Sequence, residues 1–363
     1  MTLDGQSVLL LCSNDYLGLA AHPRVRAAAA EAALRWGAGA GASRLVSGNM
    51  AIHAELEQRL TAFKGTESAL LLGSGYLANL GVVSALAGRG EVVFSDALNH
   101  ASIVDGCRLS RAETFVYRHG DLEHLEWGLR EAGERAALIV TDGVFSMDGD
   151  VAPLAGLSAL ARRHGVRLVV DDAHGTGTVG AGGRGSVAAA GLEGEVDVIV
   201  GTLGKALGSY GAFVACDATT SEYLVNTMRP LIFSTALPPS AVAAAAAALE
   251  LVDTEPERVG RLQANAAHMR RALRARGAVV EEYGTHIIPL LVGEADATMH
   301  ACEEALEAGC FAQGIRPPTV PAGTSRLRLT VMATHAAPEL ERAAGVLAAA
   351  VRGRPVTARA GVA

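Results

Sequence analysis

The chain has 363 residues, 50% of them hydrophobic, and a formal net charge of −7. This composition is that of a globular protein with a large core, and the negative charge excludes the basic surface that nucleic-acid binding requires. Five cysteines without metal-ligand spacing or a CxxC pair predict a cytoplasmic protein with reduced thiols and no bound metal. The first residues lack a signal-peptide pattern, and the longest apolar stretch, Ala241–Leu251, is too short to span a membrane.

Short β-branched or apolar runs alternate with helical stretches in the first 250 residues. The predicted strands are Ser68–Leu72, Glu91–Ser95, Thr114–Tyr117, Ala137–Thr141, Arg167–Asp171, Asp197–Gly201 and Ala212–Ala215. Helices such as Leu77–Leu86, Glu123–Ala132 and Leu154–His164 lie between them. This alternation predicts an α/β fold with a mostly parallel seven-stranded sheet and helices on both faces.

The pattern changes after a long helix that runs from about Pro239 to Val252. We expect a helix at Val259–Arg276, strands near Val279–Glu282, His286–Val292 and Leu327–Val331, and a helix at Pro338–Val351. The chain is therefore predicted to contain an N-terminal segment (residues 1–40), a large domain (41–252) and a smaller α+β domain (253–363), which ends in a mobile tail from Arg352.

Two neighbouring strand ends carry the residues of a candidate active site, since ligands of such sheets bind at the carboxyl ends of the strands. Asp171 ends one strand and His174 follows it, while Lys205 lies in a Gly-bounded turn after the next strand. Alone, Asp171 could equally cap a turn, and Lys205 would be taken for a surface residue. Together they suit pyridoxal phosphate (PLP), because an aspartate keeps the pyridine nitrogen protonated and a lysine in a low-dielectric site can form an imine.

A glycine-rich turn after the first strand could bind the PLP phosphate. Gly73-Ser74-Gly75-Tyr76 leads into a helix, whose free N–H groups and dipole attract a dianion. The same segment also fits a dinucleotide fingerprint, Gly73–Ala78, with Asp96 on the next strand. An NAD-dependent oxidoreductase is therefore the alternative from another class, although it leaves Asp171 and Lys205 without a role.

Six motifs follow one another along the chain: Asn14–Leu19, Ser43–Gly48, Asn99–Ser102, Asp142–Asp150, Asp171–Gly177 and Thr202–Lys205. Together they resemble the α-oxoamine synthases, fold-type I PLP-dependent transferases that condense an amino acid with an acyl thioester. The resemblance covers about Leu11 to Thr334 and implies a homodimer in which both subunits contribute to each active site. Members of this family usually carry a helical arm before the motif that begins here at Asn14. We therefore expect either that the start codon is placed late or that this protein grips the acyl chain differently.

The resemblance implies roles around the PLP ring. Lys205 would be the Schiff-base lysine and the base that removes the Cα proton, and Asp171 would pair with the pyridine nitrogen. His100 would stack on the exposed face of the ring. His174 and Ser146 would hydrogen-bond its phenolic oxygen. Without the resemblance, His100 would be interpreted as a helix cap and Ser146 as a turn hydroxyl.

The resemblance also implies ligands for the phosphate and the substrate. The phosphate ligands would be the backbone of Gly75 and Tyr76, the Thr202 hydroxyl and Thr235 donated by the partner subunit. Arg328 would grip the amino acid carboxylate through its guanidinium fork, and Asn14 would line the substrate side. On the sequence pattern alone, Arg328 would belong to the solvated face of a strand.

One stretch narrows the resemblance further. Ile315–Pro321 and Arg326–Thr330 are similar to the family member that uses L-alanine and pimeloyl-CoA or pimeloyl-ACP. That reaction yields 8-amino-7-oxononanoate, CO2 and the free thiol carrier in biotin biosynthesis. Relatives that make 5-aminolevulinate, 2-amino-3-ketobutyrate or ketosphinganine differ most in this stretch and are the alternatives within the family.

Overall fold

The computed structural model describes residues 1–281 and 284–353. Its strands are β1 (Thr2–Leu3), β2 (Gln6–Ser7), β3 (Leu9–Leu10), β4 (Ser68–Leu72), β5 (Val92–Asp96), β6 (Glu113–Tyr117), β7 (Ala136–Asp142), β8 (Arg167–Asp171), β9 (Val198–Thr202), β10 (Ala212–Cys216), β11 (Ile287–Gly293), β12 (Cys310–Phe311), β13 (Gln313–Ile315) and β14 (Ser325–Thr330). Its helices are α1 (Pro23–Trp36), α2 (Ala51–Lys64), α3 (Gly75–Leu86), α4 (Ala101–Ser110), α5 (Leu122–Ala132), α6 (Leu154–His164), α7 (Ser186–Ala189), α8 (Ala218–Thr227), α9 (Arg229–Phe233), α10 (Pro239–Thr254), α11 (Glu257–Arg274), α12 (Ala295–Glu307) and α13 (Ala337–Ala350).

These elements form two compact units. The large unit comprises Leu19–Phe145 and Val151–Pro256, and the small unit comprises Met1–Gly18, Ser146–Asp150 and the residues from Glu257 onward. No helix in the described part of the chain is both long and apolar enough to cross a membrane.

The large unit is built on a sheet with the strand order β4-β10-β9-β8-β7-β5-β6 among the described residues. β10 runs antiparallel to both of its neighbours, and the strands from β9 to β6 pair in parallel. The prediction of a mostly parallel seven-stranded α/β sheet is thereby confirmed. The observed strands differ from the predicted ones by one residue at several ends, and the shift brings Asp96 and Thr202 into β5 and β9.

Apolar side chains fill both faces of this sheet. Leu168, Val169 and Val170 of β8 are fully buried in succession, as expected for a parallel strand that is covered by helices on both faces. The polar residues Asp96, Asp142, Asp171 and Thr202 are the last residues of β5, β7, β8 and β9. The point where each buried strand ends therefore sets the position of the candidate site.

The small unit contains the antiparallel sheet β11-β14-β13 and a parallel pair, β3 with β12. The strands predicted near His286–Val292 and Leu327–Val331 correspond to β11 and β14. The strand predicted at Val279–Glu282 does not form at residues 279–281, and Glu282 lies outside the described residues. The predicted C-terminal tail also lies outside them from residue 354 onward.

The unit boundaries differ from the predicted domains because two short segments join the small unit. Residues 1–18 belong to it, since β3 pairs with β12 and the backbone N–H of Thr330 donates to the carbonyl of Leu11 at 2.7 Å. Residues 146–150 belong to it through contacts with β14, for example the 2.6 Å ion pair between Arg326 and Asp148. The rest of the predicted N-terminal segment, with α1, is part of the large unit.

Candidate active site

Asp171 provides a fixed, buried carboxylate at the end of β8. Its Oδ2 accepts a hydrogen bond from Asn79 Nδ2 at 2.5 Å, and its Oδ1 accepts one from the backbone N–H of Ala173 at 2.9 Å. Each carboxylate oxygen therefore accepts one hydrogen bond, and these two bonds fix the orientation of the side chain. Asp171 is thus built to accept a further hydrogen bond from a cationic donor.

The neighbouring Asp172 has a different role. Its Oδ2 pairs with the ammonium of Lys64 at 2.7 Å, and its Oδ1 accepts from the backbone and hydroxyl of Ser186 at 2.9 and 2.6 Å. A Cβ at Gly185 would lie 1.8 Å from the carboxylate, which explains the glycine there. Asp172 therefore anchors the loop. The described residues contain no cluster of His, Cys, Asp and Glu side chains that could hold a metal ion.

Lys205 lies in a tight turn between β9 and β10. The turn is closed by Leu203, whose N–H donates to the Gly211 carbonyl at 2.9 Å, and by Gly208, whose N–H donates to the Lys205 carbonyl at 2.9 Å. The side chain is half-buried at the strand end next to that of Asp171. Its charge lowers the pKa of His100, so Lys205 is close to other site residues and is no ordinary surface lysine.

His100 caps α4 and also faces the site. Its Nδ1 accepts a hydrogen bond from the backbone N–H of Ser102 at 3.2 Å, and its own backbone N–H donates to Asp142 Oδ2 at 3.1 Å. His100 is exposed by its surface area, but the site desolvates its ring, and this desolvation lowers its pKa; Asp171 opposes the shift and Lys205 adds to it. The imidazole is therefore neutral at pH 7, which suits a ring that stacks on a cofactor.

Asp142 is a buried carboxyl group for which sequence reasoning gave no role of its own. It ends β7 and pairs in register with Asp171 of β8. Burial raises its pKa well above the usual range, the charge of Asp171 adds to this shift and Lys205 opposes it. Two carboxyl groups this close resist carrying two charges, so Asp142 holds its proton more tightly than an ordinary aspartate does. Its position directly after the predicted strand Ala137–Thr141 was the signal that could have identified it.

The remaining loop residue of the large unit, His174, is buried. Its carbonyl oxygen accepts a hydrogen bond from the Thr178 hydroxyl at 2.5 Å, which helps to fix the loop after β8. Across the strand ends, the Thr202 hydroxyl donates to the carbonyl of Ala173 at 3.4 Å. The loop that carries His174 and the end of β9 are thus held against each other.

The start of α3 forms an anion-binding cradle. Ser74 caps this helix, with its hydroxyl accepting from the N–H of Leu77 at 3.2 Å. A Cβ at Gly75 would lie 2.7 Å from Thr202 Cγ2, so glycine lets the helix N-terminus approach the end of β9. The Tyr76 hydroxyl donates to a carboxylate oxygen of Asp105, which leaves the Tyr76 backbone as the group available to an anion.

The geometry contradicts the dinucleotide alternative. β4, which precedes Gly73–Ala78, and β5, which carries Asp96, are separated by β10, β9, β8 and β7. At about 4.8 Å per strand, the separation is about 24 Å, far too long for one nucleotide to span as in a dinucleotide fold. Asp96 instead fastens the chain after β6, accepting from His119 Nδ1 and from the Gly120 N–H, both at 2.9 Å.

The small unit places Arg328 in a buried position on β14. Its Nε donates to the carbonyl of Ser146 at 2.5 Å. No described carboxylate pairs with it, whereas Arg326, two residues earlier, is neutralised by Asp148 at 2.6 Å. The solvated strand face expected from the pattern alone is therefore wrong, and Arg328 is a buried cation that can accept an anionic ligand. Asn14 of the same unit is exposed, and its Oδ1 accepts from the hydroxyl of Tyr16 at 2.9 Å.

Thr235 lies on the surface of the large unit. It follows α9, is exposed, and forms an isolated antiparallel bridge with Ser43. Phe233 beside it is 69% exposed. Of the predicted site residues, the structure thus places Gly75, Tyr76, His100, Asp171, His174, Thr202 and Lys205 at the strand ends of the large unit, Thr235 on its surface, and Asn14, Ser146 and Arg328 in the small unit.

The family model for aminotransferases of class I and II matches residues 6–347, so the chain belongs to this family. The chain is 56% identical to the 8-amino-7-oxononanoate synthase of Geobacter sulfurreducens over 348 residues. This match spans 95% of the chain and 89% of that relative. Among solved structures, serine palmitoyltransferase from S. paucimobilis with bound PLP and myriocin has a TM-score of 0.92 and 38% identity over 96% of this chain and 88% of that one. The structure of the 8-amino-7-oxononanoate synthase of Francisella tularensis has a TM-score of 0.82 and 25% sequence identity, over 94% of this chain and 97% of that one. The resemblance inferred from the motifs is confirmed.

Proposed function

We propose that this chain condenses L-alanine with pimeloyl-CoA or pimeloyl-ACP, with loss of CO2, to form 8-amino-7-oxononanoate and the free thiol carrier in biotin biosynthesis. The observation that carries the proposal is the 56% identity, over 95% of the chain, to a relative named for that product. The arrangement of Asp171 and Lys205 at adjacent strand ends supports the chemistry. The five unpaired cysteines suit a reaction in the reducing cytoplasm.

The residues at the strand ends fit PLP. Asp171 has two fixed donors and can accept a further hydrogen bond from a protonated pyridine nitrogen. The N-terminus of α3, with Gly75 against Thr202, offers N–H groups to the phosphate, and Lys205 offers a primary amine for the aldehyde carbon. When bound, PLP supplies the electron sink that stabilises a carbanion at the amino acid Cα.

The chain's own residues would control the protons and the orientation of the ring. The amine of Lys205 is proposed to accept the Cα proton of the amino acid as a general base. The neutral imidazole of His100 is proposed to cover one face of the ring and exclude water. His174 and Ser146 are proposed to hydrogen-bond its phenolic oxygen, and Asp171 to keep the ring nitrogen protonated.

We also propose a homodimer in which Thr235 completes the phosphate site of the partner subunit. Thr235 itself is exposed, and Phe233, Leu45 and Val46 are large apolar side chains that are 69%, 53% and 79% exposed. The segment that carries Leu45 and Val46 packs against α9, which carries Phe233, and a contiguous exposed apolar patch is typical of a surface that a second subunit covers.

Arg328 is proposed to bind the alanine carboxylate, and its replacement by lysine should therefore raise the KM for alanine. Lysine keeps the charge and loses the planar fork, and one charge-assisted hydrogen bond contributes about 1.5–3 kcal/mol, or about a tenfold to 150-fold change in KM. Steady-state kinetics with alanine varied at saturating acyl donor measures the effect. The PLP absorbance should stay the same, and an unchanged KM would remove Arg328 from the proposed site.

The substrates are tested by pairing amino acids with acyl donors. Alanine, glycine and serine are each combined with pimeloyl-CoA, acetyl-CoA, succinyl-CoA and palmitoyl-CoA, and the amino ketone and CO2 are measured. Alanine with pimeloyl-CoA should give the highest kcat/KM. Serine with palmitoyl-CoA is the strongest competitor because of the 38% identity to serine palmitoyltransferase. A preference for that pair, or for glycine with either short donor, contradicts the proposal.

A further inference from the structure

A chain of hydrogen bonds inside the large unit connects Asp171 with His100. Asn79 Nδ2, on α3, donates to Asp171 Oδ2 at 2.5 Å and to Ser102 Oγ, on α4, at 2.9 Å. Ser102 Oγ lies 2.7 Å from Nδ1 of His100. Asn79 and Ser102 are both buried. Two side chains without a role in the proposed reaction thus join the partner of the ring nitrogen to the imidazole on the ring face.

We propose that Asn79 and Ser102 are positioning residues that hold His100 as its Nε2–H tautomer and Asp171 as a charged carboxylate. The inference rests on the proposed function, because His100 and Asp171 are the groups that would contact PLP. It concerns how these two groups are prepared before the cofactor and substrate meet them.

The direction of each hydrogen bond follows from the available protons. Both hydrogens of Asn79 Nδ2 are donated, one to Asp171 and one to Ser102 Oγ. The single hydroxyl proton of Ser102 is then free to be donated, and Nδ1 of His100 receives it. The backbone N–H of Ser102 donates to the same nitrogen at 3.2 Å. A nitrogen that accepts two hydrogen bonds carries no proton, so the proton of the neutral ring is on Nε2.

The orientation of the Asn79 amide fixes the charge of Asp171. The reversed amide would place Oδ1 against the Asp171 carboxylate, with two acceptors in contact. The observed orientation gives Asp171 a donor on Oδ2 in addition to the Ala173 N–H on Oδ1. Hydrogen bonds to the charged form stabilise it, so Asn79 favours the ionised carboxylate that a pyridinium nitrogen needs.

Asn79 keeps this arrangement at a cost. Its Oδ1 is buried and has no hydrogen-bond partner among the described residues. An apolar side chain of similar shape would avoid this loss, and the rest of α3 is mostly apolar. Asn79 is the one side-chain amide of α3, and both of its N–H hydrogens are donated at the site. This indicates that it positions its neighbours and does not merely fill space.

Other charged groups around His100 favour the same neutral ring. Asp142 of β7 accepts its backbone N–H, Asp171 of β8 raises its pKa, and Lys205 after β9 lowers it. Desolvation of the ring at the site has the largest effect and lowers the pKa of His100. The ring is therefore uncharged at pH 7, and its tautomer is set by Ser102.

The tautomer is tested by nitrogen NMR of protein labelled with 15N-histidine. The signals of His100 are identified by their loss in His100→Asn. In the wild type, Nδ1 should show the shift of an unprotonated acceptor and Nε2 that of a protonated nitrogen. Ser102→Ala should produce a mixture of the two tautomers. The matched control is Ser110→Ala, a buried serine of the same helix whose hydroxyl donates to the Cys107 carbonyl, and it should leave the His100 signals unchanged.

The contact between Asn79 and Asp171, at one end of the hydrogen-bond chain, is tested with Asn79→Leu. The 13C signal of the Asp171 carboxyl carbon, identified with Asp171→Asn, is compared between the variant and the wild type in the PLP-loaded protein. Loss of the hydrogen bond from Asn79 should move this signal. The thermal midpoint should fall, because buried Asp171 and Ser102 both lose a donor. A merely structural Asn79 would lower the thermal midpoint in the same way and leave the carboxyl signal of Asp171 unchanged.

Two results overturn the inference: a protonated Nδ1 in wild-type His100, or the same tautomer in wild type and Ser102→Ala together with an unchanged carboxyl signal of Asp171 in Asn79→Leu. The wild-type measurement needs no variant to fold. Failure of the protein to bind PLP would refute the proposed function. The histidine signals can be recorded without PLP, so the tautomer of His100 would still be measurable in that case.

Discussion

Replacing Lys205 with alanine is expected to reduce the rate of product formation by about 10²–10⁴-fold or more, the contribution of a positioned general base. The reason is that the variant loses both the amine that would hold PLP and the base that would take the Cα proton. Borohydride reduction followed by mass spectrometry should find PLP attached to the Lys205 peptide in the wild type and no attached PLP in the variant. Turnover with alanine and pimeloyl-CoA gives the rate.

Arg135→Met serves as the control for this experiment, because Arg135 is exposed and pairs only with the exposed Glu113 in the described structure. It should retain both the PLP adduct and the rate. An adduct that persists in Lys205→Ala, or full activity of that variant, would falsify the role proposed for Lys205.

The second large effect concerns stability. Lys64→Met is expected to lower the free energy of unfolding by about 3–5 kcal/mol, because it leaves the carboxylate of Asp172 buried without its cation. The two groups are 2.7 Å apart, and their side chains are 2% and 0% exposed. The loop after β8 depends on this anchor, so we also expect weaker PLP retention. Urea denaturation monitored by circular dichroism measures the loss.

The same Arg135→Met variant is the matched control, since it removes one cation from an exposed ion pair. Such pairs contribute about 0.2–1 kcal/mol, so its midpoint should hardly move. Equal destabilisation by the two variants would mean that burial of the Lys64 pair does not matter in this chain.

The sheet was predictable from the sequence because its strands are short apolar runs between longer helical stretches. β4 and β8 were predicted with their observed ends. The pairs β1 with β2 and β3 with β12 consist of two-residue strands, too short to show an alternating pattern. Residues 146–150 join the small unit through contacts with β14, which is far away in sequence, and no local pattern reveals such a contact.

The site was predictable only in part. Asp171 and Lys205 became candidates because strand ends carry the functional groups of parallel sheets, and the family motifs added His100 as a further candidate. The pairing of Asn79 with Ser102 depends on how α3 packs against α4, which composition and spacing do not encode. The dinucleotide alternative could be excluded only from the strand order, which separates Gly73 from Asp96.

The chain contains only two lysines, Lys64 and Lys205. Because the Lys64 amine is enclosed with Asp172, an acylating or reductive-amination reagent applied to the folded protein should modify Lys205 and leave Lys64 unmodified. The unusual preference for arginine over lysine thus gives the protein a built-in selectivity for covalent probes. A fluorescent aldehyde could report occupancy of the Lys205 position by competition, without any engineered tag.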